Sequence, residues 1–208
     1  SAIGFSSFPS SVLGYKSTPV NRLDLKKAEE RLLGRMLRRQ AEQIPDADFL
    51  VSDEQRLTFH EANQRACAAA TSFRTYGIEA GDTVAFLMGS CPDFAVAALG
   101  LNKLGGIWVP TNTDYKGPWL EQSLSDSQAR ILVVDGDLLP KLANLQNLPF
   151  EQLVVRGEDP GTLDLPRISM EELFAAEPIE PDDSERHLGQ TAAILFTSGT
   201  TGRAKGVM

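Results

Sequence analysis

Short apolar runs alternate with segments of helical spacing along most of this sequence. Residues 83–88 (TVAFLM), 107–110 (IWVP) and 130–134 (RILVV) are such runs, and each precedes a helix-like segment. Buried parallel strands are continuously apolar, and strands that alternate with helices are joined by right-handed crossovers. The alternation therefore predicts an α/β fold with a mostly parallel sheet that helices cover on both faces.

Local signals mark the ends of the individual elements. Thr58 and Glu61 form a capping box, in which the hydroxyl and the carboxylate satisfy the first free amides of a helix. Gly77 follows the last apolar residue of that helix and suits a left-handed C-cap, and Gly105-Gly106 closes the next helix. The predicted strands are 49–52, 83–88, 107–110, 130–134, 153–155 and 192–196, and the predicted helices are 23–43, 59–76, 92–104, 119–125, 138–145 and 170–176.

Three stretches fall outside this alternation or complicate it. Residues 1–22 are rich in Ser, Gly and Pro without periodicity, so we expect an N-terminal arm, with 23–208 as the folded unit. The basic residues of 23–43 suit a solvated helix face, with a phosphate or lipid patch as the alternative. Residues 177–185 are acidic and interrupted by proline, which predicts a surface linker before the last strand.

Composition limits the classes of function. The formal net charge of −8 disfavours nucleic acid as a partner, because phosphate backbones require clustered Lys and Arg. Cys67 and Cys91 lack the spacing of a metal site or a disulfide framework, and His60 and His187 lack partners at ligand spacing. No apolar run approaches the roughly 20 residues that cross a bilayer, and residues 1–16 do not resemble a secretory signal. We therefore expect a cytoplasmic protein with reduced thiols, no transmembrane segment and no nucleic-acid partner.

A run of glycines and hydroxyl residues follows the last predicted strand. Glycine lets the backbone turn with positive φ and approach a ligand closely, and consecutive amides can converge on an anion. Hydroxyl groups add donors, and a nearby lysine adds a mobile positive charge. The run thus suits a polyphosphate. The candidate cofactor-binding residues are Thr197, Ser198, Gly199, Thr200, Thr201, Gly202 and Lys205.

The loop does not match two other nucleotide-binding motifs. The Walker pattern requires G-x-x-x-x-G-K-[ST] before a helix, whereas Gly202 is followed by Arg-Ala-Lys and a strand-like Gly206-Val207. The G-x-G-x-x-G spacing of dinucleotide sites is also missing. A hairpin turn without a ligand remains the alternative, although a turn needs one or two glycines and gains nothing from so many hydroxyl groups.

The loop and three upstream stretches resemble one family. Residues 197–207 (TSGTTGRAKGV) resemble the phosphate-binding signature of the adenylate-forming superfamily, which includes acyl-CoA synthetases, luciferases and peptide-synthetase adenylation domains. Ala204 stands where the signature usually has proline, which removes a backbone restraint but no ligand group. Further matches are 57–61 (LTFHE) to "LTYxEL", 76–85 (YGIEAGDTVA) to "GVxxGDxVA" and 105–112 (GGIWVPTN) to "GAVxVPLNP".

The resemblance implies a two-step reaction with ATP, Mg²⁺ and coenzyme A. A carboxylate attacks the α-phosphorus of ATP to give an acyl-adenylate and pyrophosphate, and a thiol, usually of coenzyme A, then displaces AMP. Carried over from the family, the hydroxyls of Thr197, Ser198, Thr200 and Thr201 contact the β- and γ-phosphates. Gly199 and Gly202 allow close backbone approach, and Lys205 assists the leaving pyrophosphate.

The resemblance also indicates what this chain lacks. Complete members are more than twice as long, so we expect 23–208 to be the N-terminal portion of the large domain, inactive alone and without an assigned catalytic residue. Residues 110–117 with 119–120 resemble acyl-CoA ligases of fatty-acid or carnitine/crotonobetaine type. The alternatives are another adenylate-forming branch, a non-catalytic nucleotide-binding or interaction module and, less suited because no metal-binding Asp follows a strand, a kinase-like phosphotransferase.

Overall fold

The computed structural model describes residues 31–53, 55–197 and 205–207. The predicted arm at 1–22 and the first part of the predicted helix 23–43 lie outside these residues. The described strands are β1 Asp48–Val51, β2 Arg56–Thr58, β3 Thr83–Leu87, β4 Ile107–Pro110, β5 Ile131–Asp135, β6 Gln152–Arg156, β7 Arg167–Ser169, β8 Leu195–Thr197 and β9 Lys205–Val207. The α-helices are α1 Leu33–Gln43, α2 Phe59–Thr75, α3 Pro92–Leu104, α4 Gly117–Asp126 and α5 Met170–Phe174.

A parallel sheet forms the centre of the described chain, with strand order β4-β3-β5-β6-β7. Two of its three interior strands, β3 and β5, are buried on both faces. Val84, Phe86 and Val133 point to one face and pack with residues of α2, α3 and α5. Leu87 and Leu132 point to the other face, where α4 residues cover them. The predicted parallel sheet with helices on both faces is confirmed.

The helix signals identified in the sequence act as expected. The Thr58 hydroxyl accepts from the Glu61 amide, and the Glu61 carboxylate accepts from the Thr58 amide at 2.9 Å. The bonds that the Thr58 amide and hydroxyl donate to the Glu61 carboxylate lower the pKa of Glu61, because they stabilise its charged form. Gly77 takes a φ of +78° directly after the C-cap of α2.

Several predicted elements differ from the structure. Residues 138–145 were expected to be helical, but the segment is a 3₁₀ helix over Gly136–Leu142 with Pro140 inside it, and proline removes a backbone donor. The predicted helix 23–43 ends at Gln43 as expected, and within the described residues α1 begins at Leu33, since Leu32 has an extended backbone. β2 and β7, with three residues each, lack a periodic signal and were not predicted as strands.

The acidic segment, defined here as residues 177–192, lies mostly at the surface, as the composition of 177–185 predicted, and ion pairs also bind it to the helices. The Lys103 ammonium lies 2.5 Å from the Glu180 carboxylate, and Asp183 pairs with Arg35 at 2.9 Å. Cys67 donates its thiol proton to the other oxygen of Glu180 at 3.1 Å. The ion-pair partners of the segment on α1 and α3 are three basic residues, Arg35, Arg38 and Lys103, so charge pairing fixes the path of the chain toward β8. The basic face of α1 is accordingly not simply solvated.

Arg186 extends this attachment to the C-terminus of α3. Its guanidinium donates to the Leu104 carbonyl at 2.6 Å, where the negative end of the helix dipole favours a cation. Gly105 has a φ of +84°, and a Cβ there would lie 2.4 Å from the guanidinium carbon. The backbone conformation therefore favours glycine at this position, and any side chain there would displace the Arg186 guanidinium.

Helices α2 and α3 approach each other closely at Gly100. A Cβ at this position would lie 2.5 Å from the carbonyl oxygen of Ala66 and 2.7 Å from the Cβ of Ala69. These neighbours are backbone or a short rigid side chain, so they cannot move aside without shifting a helix. The contact explains a glycine in the interior of a helix, where it is otherwise unfavourable.

We predict that Gly100→Ala lowers the free energy of unfolding by about 1–3 kcal/mol, because the added methyl overpacks the helix contact. Helix propensity alone predicts the opposite sign, a gain of about 1 kcal/mol. Urea denaturation of the purified variant and wild-type proteins distinguishes the two, and a stabilised variant would contradict the close packing of α2 on α3.

The Glu180–Lys103 pair predicts unequal effects of removing its two members. The Lys103 side chain is 1% exposed and that of Glu180 is 32% exposed. Glu180→Ala leaves a buried ammonium without its carboxylate, and we expect a loss of about 3 kcal/mol in unfolding free energy. Lys103→Met leaves a carboxylate that reaches solvent and Arg38, so we expect a loss of about 1 kcal/mol. Equal losses in denaturant titrations would show that the pair does not anchor the acidic segment as described.

Candidate functional site

The predicted phosphate loop connects the two strands of a hairpin. β8 and β9 pair antiparallel, and Thr197 is the backbone partner of Lys205. The structure thus brings the first and last predicted binding residues together where the hairpin strands end. The intervening candidates lie outside the described residues; they are Ser198, Gly199, Thr200, Thr201 and Gly202.

Backbone hydrogen bonds attach this hairpin to the edge of the parallel sheet. Trp108 donates to the Ala192 carbonyl at 3.3 Å and accepts from the Ile194 amide at 3.2 Å. Ala193 forms a parallel bridge with Trp108, so the chain runs beside β4 in the same direction. It therefore enters the hairpin at the carboxyl edge of the sheet, which is where open α/β sheets bind their ligands. The predicted strand 192–196 is confirmed in part, since β8 spans Leu195–Thr197.

A cleft lies between this hairpin and the ends of β3 and β4. Its volume is about 350 Å³, and its walls come from the β3–α3 loop, the residues after β4 and the start of β8. None of the described lining residues carries a charge. They are Met88, Gly89, Ser90, Phe94, Pro110, Thr111, Asn112, Thr113, Leu195 and Phe196.

Aromatic packing supports one wall of the cleft. The ring of Phe94 meets Phe86 edge-on, with centroids 5.2 Å apart, and meets Trp108 edge-on at 5.6 Å. Edge-to-face pairs of this kind are favourable and restrict ring orientation. Trp108 thereby links the cleft to the backbone contacts that hold the hairpin.

Thr111 presents an unsatisfied polar atom beside the cleft. The residue is 5% exposed, its amide donates to the Phe86 carbonyl at 2.8 Å, and its hydroxyl oxygen has no partner among the described residues. A buried hydroxyl without a hydrogen bond is costly, so the position favours a bound water or a polar group of a ligand.

Asp135 occupies the point where the connections of the sheet diverge. The chain passes from β3 to β4 on one side and from β5 to β6 on the other. Asp135, at the end of β5, is 8% exposed; it accepts from the Gly89 amide at 2.8 Å and from Arg156 Nε at 2.6 Å. The second bond raises the pKa of Arg156, because the carboxylate stabilises the charged guanidinium.

Sequence reasoning did not select Asp135 or Thr111 as site residues. Thr111 and Asp135 are each the first polar residue after an apolar strand sequence. The carboxyl ends of parallel strands meet at one edge of the sheet. Their position directly after a strand would have indicated both residues, once the strands were known to be parallel neighbours.

The remaining titratable candidates do not contribute to this site. Both cysteines are free, and burial raises the pKa of Cys67 to about 12 and raises that of Cys91. Thiolate nucleophiles require a lowered pKa, so neither environment activates its sulfur. His60 and His187 are exposed. Within residues 31–53, 55–197 and 205–207, His, Cys, Asp and Glu form no group of three that could hold a metal ion.

In the described part of the chain, no helix combines the length and apolar character needed to cross a membrane.

Comparisons with known proteins show what the chain is similar to in sequence and in fold. Tyrocidine synthase 2 of Brevibacillus parabrevis is 33% identical over 168 residues, which cover 81% of this chain and 4% of that protein. A crotonobetaine/carnitine–CoA ligase of Escherichia coli is 34% identical over 166 residues, covering 74% of this chain and 30% of that protein. The chain spans less than a third of each of these two proteins.

Solved structures share the fold. An anthranilate CoA ligase in complex with anthranoyl-AMP superposes with a TM-score of 0.75 at 26% identity, covering 84% of this chain and 34% of that one. The N-terminal domain of FACL13 from Mycobacterium tuberculosis gives 0.69 at 31% identity, covering 84% of this chain and 43% of that one. The family described as AMP-binding enzyme matches residues 37–208. The resemblance drawn from the sequence is confirmed, and the chain belongs to the AMP-binding enzyme family.

Proposed function

We propose that this chain is the N-terminal portion of the large domain of an ATP-dependent acyl-CoA ligase. The observation that carries the proposal is the β8–β9 hairpin, which is tied to the carboxyl edge of the parallel sheet and closed by the glycine and hydroxyl run 198–204. Because the matched relatives extend well beyond this chain, the complete reaction belongs to the longer protein. We expect the chain alone to be inactive.

The reaction has two displacement steps. A carboxylate oxygen of the acid attacks the α-phosphorus of ATP, the bond to the bridging oxygen breaks, and pyrophosphate leaves with the electron pair. A coenzyme A thiolate then attacks the acyl carbon, and the bond to AMP breaks. AMP is a far better leaving group than oxide, which is why the first step is needed.

The loop would serve the first step by positioning and charge compensation. The hydroxyls of Thr197, Ser198, Thr200 and Thr201 would donate to the β- and γ-phosphates, and Gly199 and Gly202 would let the backbone approach. Lys205 would compensate the charge that grows on departing pyrophosphate. Mg²⁺ would arrive with ATP, bound by the phosphates, and belongs to that substrate.

The cleft beside the hairpin suits the uncharged portion of a substrate. Its lining is apolar with hydroxyl and amide groups, so a charged group would lose hydration there without a compensating ion pair. We propose an organic acid of fatty-acid type, whose carboxylate lies toward the loop and whose uncharged chain enters the cleft. A carnitine/crotonobetaine-type acid is the alternative, and its quaternary ammonium would have to lie outside this uncharged lining. The free thiols suit the reducing cytoplasm, which we propose as the compartment.

A second candidate is an adenylation domain that passes its acyl group to a carrier protein. The similarity to tyrocidine synthase 2 favours this alternative, since this chain is 33% identical to that protein and 34% identical to the crotonobetaine/carnitine–CoA ligase. The two functions share the first step and differ in the thiol that accepts the acyl group.

We predict that Thr200→Ala, in the full-length protein that carries this chain, lowers acid-dependent exchange of labelled pyrophosphate into ATP about 100-fold. One lost donor to developing charge costs about 3 kcal/mol in the transition state. Lys205→Ala is expected to act in the same direction. Thr75→Ala removes an exposed hydroxyl at the end of α2, far from the hairpin in the fold, and serves as the matched control.

Two outcomes of this assay would contradict the proposal. Wild-type protein that shows no exchange with a broad panel of carboxylic acids would contradict the activity. Exchange that is unchanged in the loop variants would contradict the assigned roles. Addition of free coenzyme A then separates the two branches, because a CoA ligase releases an acyl thioester and AMP, whereas a carrier-dependent domain retains the adenylate.

A further inference from the structure

The β3–α3 loop forms a wall of the cleft but has no strand partner of its own. The last backbone pair between β3 and β5 is Leu87 with Val134, so the ladder stops before the loop. Gly89 and Ser90 nevertheless line the cleft beside the hairpin residue Phe196. Something other than the sheet must hold this peptide in place.

The Asp135 carboxylate holds the β3–α3 loop in place. Its Oδ2 accepts from the Gly89 amide at 2.8 Å, one residue beyond the β5 end of the ladder. The side chain thus stands where a backbone carbonyl would stand if the strand continued. The bond is partly buried, and an amide bonded to a carboxylate is held more firmly than one bonded to a neutral acceptor.

The carboxylate is itself fixed from two sides. Arg156 Nε donates to its other oxygen at 2.6 Å, and Asp135 and Arg156 are backbone partners between β5 and β6. The next residue, Gly136, passes so close to the β6–β7 loop that a Cβ would lie 1.8 Å from the carbonyl oxygen of Glu158. Asp135 therefore has little freedom to move away from Gly89.

We propose that Asp135 is a positioning residue for the acid substrate, acting through Gly89 to set the wall of the cleft that receives the uncharged part of the acid. The proposal rests on the proposed function. Asp135 does not line the cleft, so it acts without touching substrate. The phosphate hairpin is held separately by Trp108 and the acidic segment, so loss of Asp135 alters the acid site and leaves the ATP site intact.

The test uses Asp135→Ala in the full-length protein, with KM measured separately for the acid and for ATP by pyrophosphate exchange. We expect KM for the acid to rise about tenfold or more and KM for ATP to stay within about twofold. Asp135→Asn keeps an acceptor for the Gly89 amide and is expected to restore most of the acid affinity.

Asp159 offers a chemically matched control. Its carboxylate also accepts from one glycine amide, that of Gly161 at 2.8 Å, and from one arginine, Arg167 at 2.6 Å. It lies in the β6–β7 loop and is not part of the cleft lining. Asp159→Ala removes the same kinds of bond, so we expect both KM values to match those of the wild type.

The outcomes separate this proposal from the proposed function. Wild-type protein without acid-dependent exchange overturns both. An active wild type with equal rises of both KM values in Asp135→Ala, or the same acid effect in Asp159→Ala, overturns the positioning role alone. If Asp135→Ala does not fold, Asp135→Ser, whose hydroxyl is too short to bridge Gly89 and Arg156, replaces it with the same expected split.

Discussion

The buried pairing of β3 with β5 is the contact on which the rest of the structure depends. Both strands are covered on two faces, so their apolar residues stabilise the sheet at about 25 cal/mol for each Å² removed from water. Their parallel register places the end of β3 beside the end of β5 and directs both connections away from that point. The cleft, the β3–α3 loop and Asp135 lie at the carboxyl edge of the sheet because β3 and β5 end there together.

A second set of contacts carries the chain from this core to the hairpin. Glu180, Asp183 and Arg186 attach the acidic segment to α1 and α3. The backbone of Trp108 in β4 then forms hydrogen bonds with Ala192 and Ile194. The segment lacks regular structure, but its ion pairs and backbone bonds fix where β8 begins. The placement of the phosphate loop thus depends on side chains far from it in sequence.

Interactions between residues that are close in sequence could be predicted, and interactions between residues that are far apart in sequence could not. The capping box of Thr58 and Glu61 was visible because its partners are three residues apart. The docking of Glu180 was not visible, since Lys103 lies 77 positions away and an acidic, proline-broken stretch looks like a linker. Asp135 was missed for the same reason, because its role exists only when β5 and β3 are neighbours. The loop was found because its glycine and hydroxyl content is a local signal, whereas Pro140 shortened a helix that apolar spacing alone suggested.

Binding of the phosphates of ATP by residues 197–205 is tested most directly by NMR of ¹⁵N-glycine-labelled full-length protein during titration with Mg²⁺ and ATP. We predict that the amide signals of Gly199 and Gly202 shift most, while that of Gly161, in the loop before β7 at the other edge of the sheet, stays unchanged. Saturation of the protein with nucleotide without a change in the signals of Gly199 and Gly202 would contradict it.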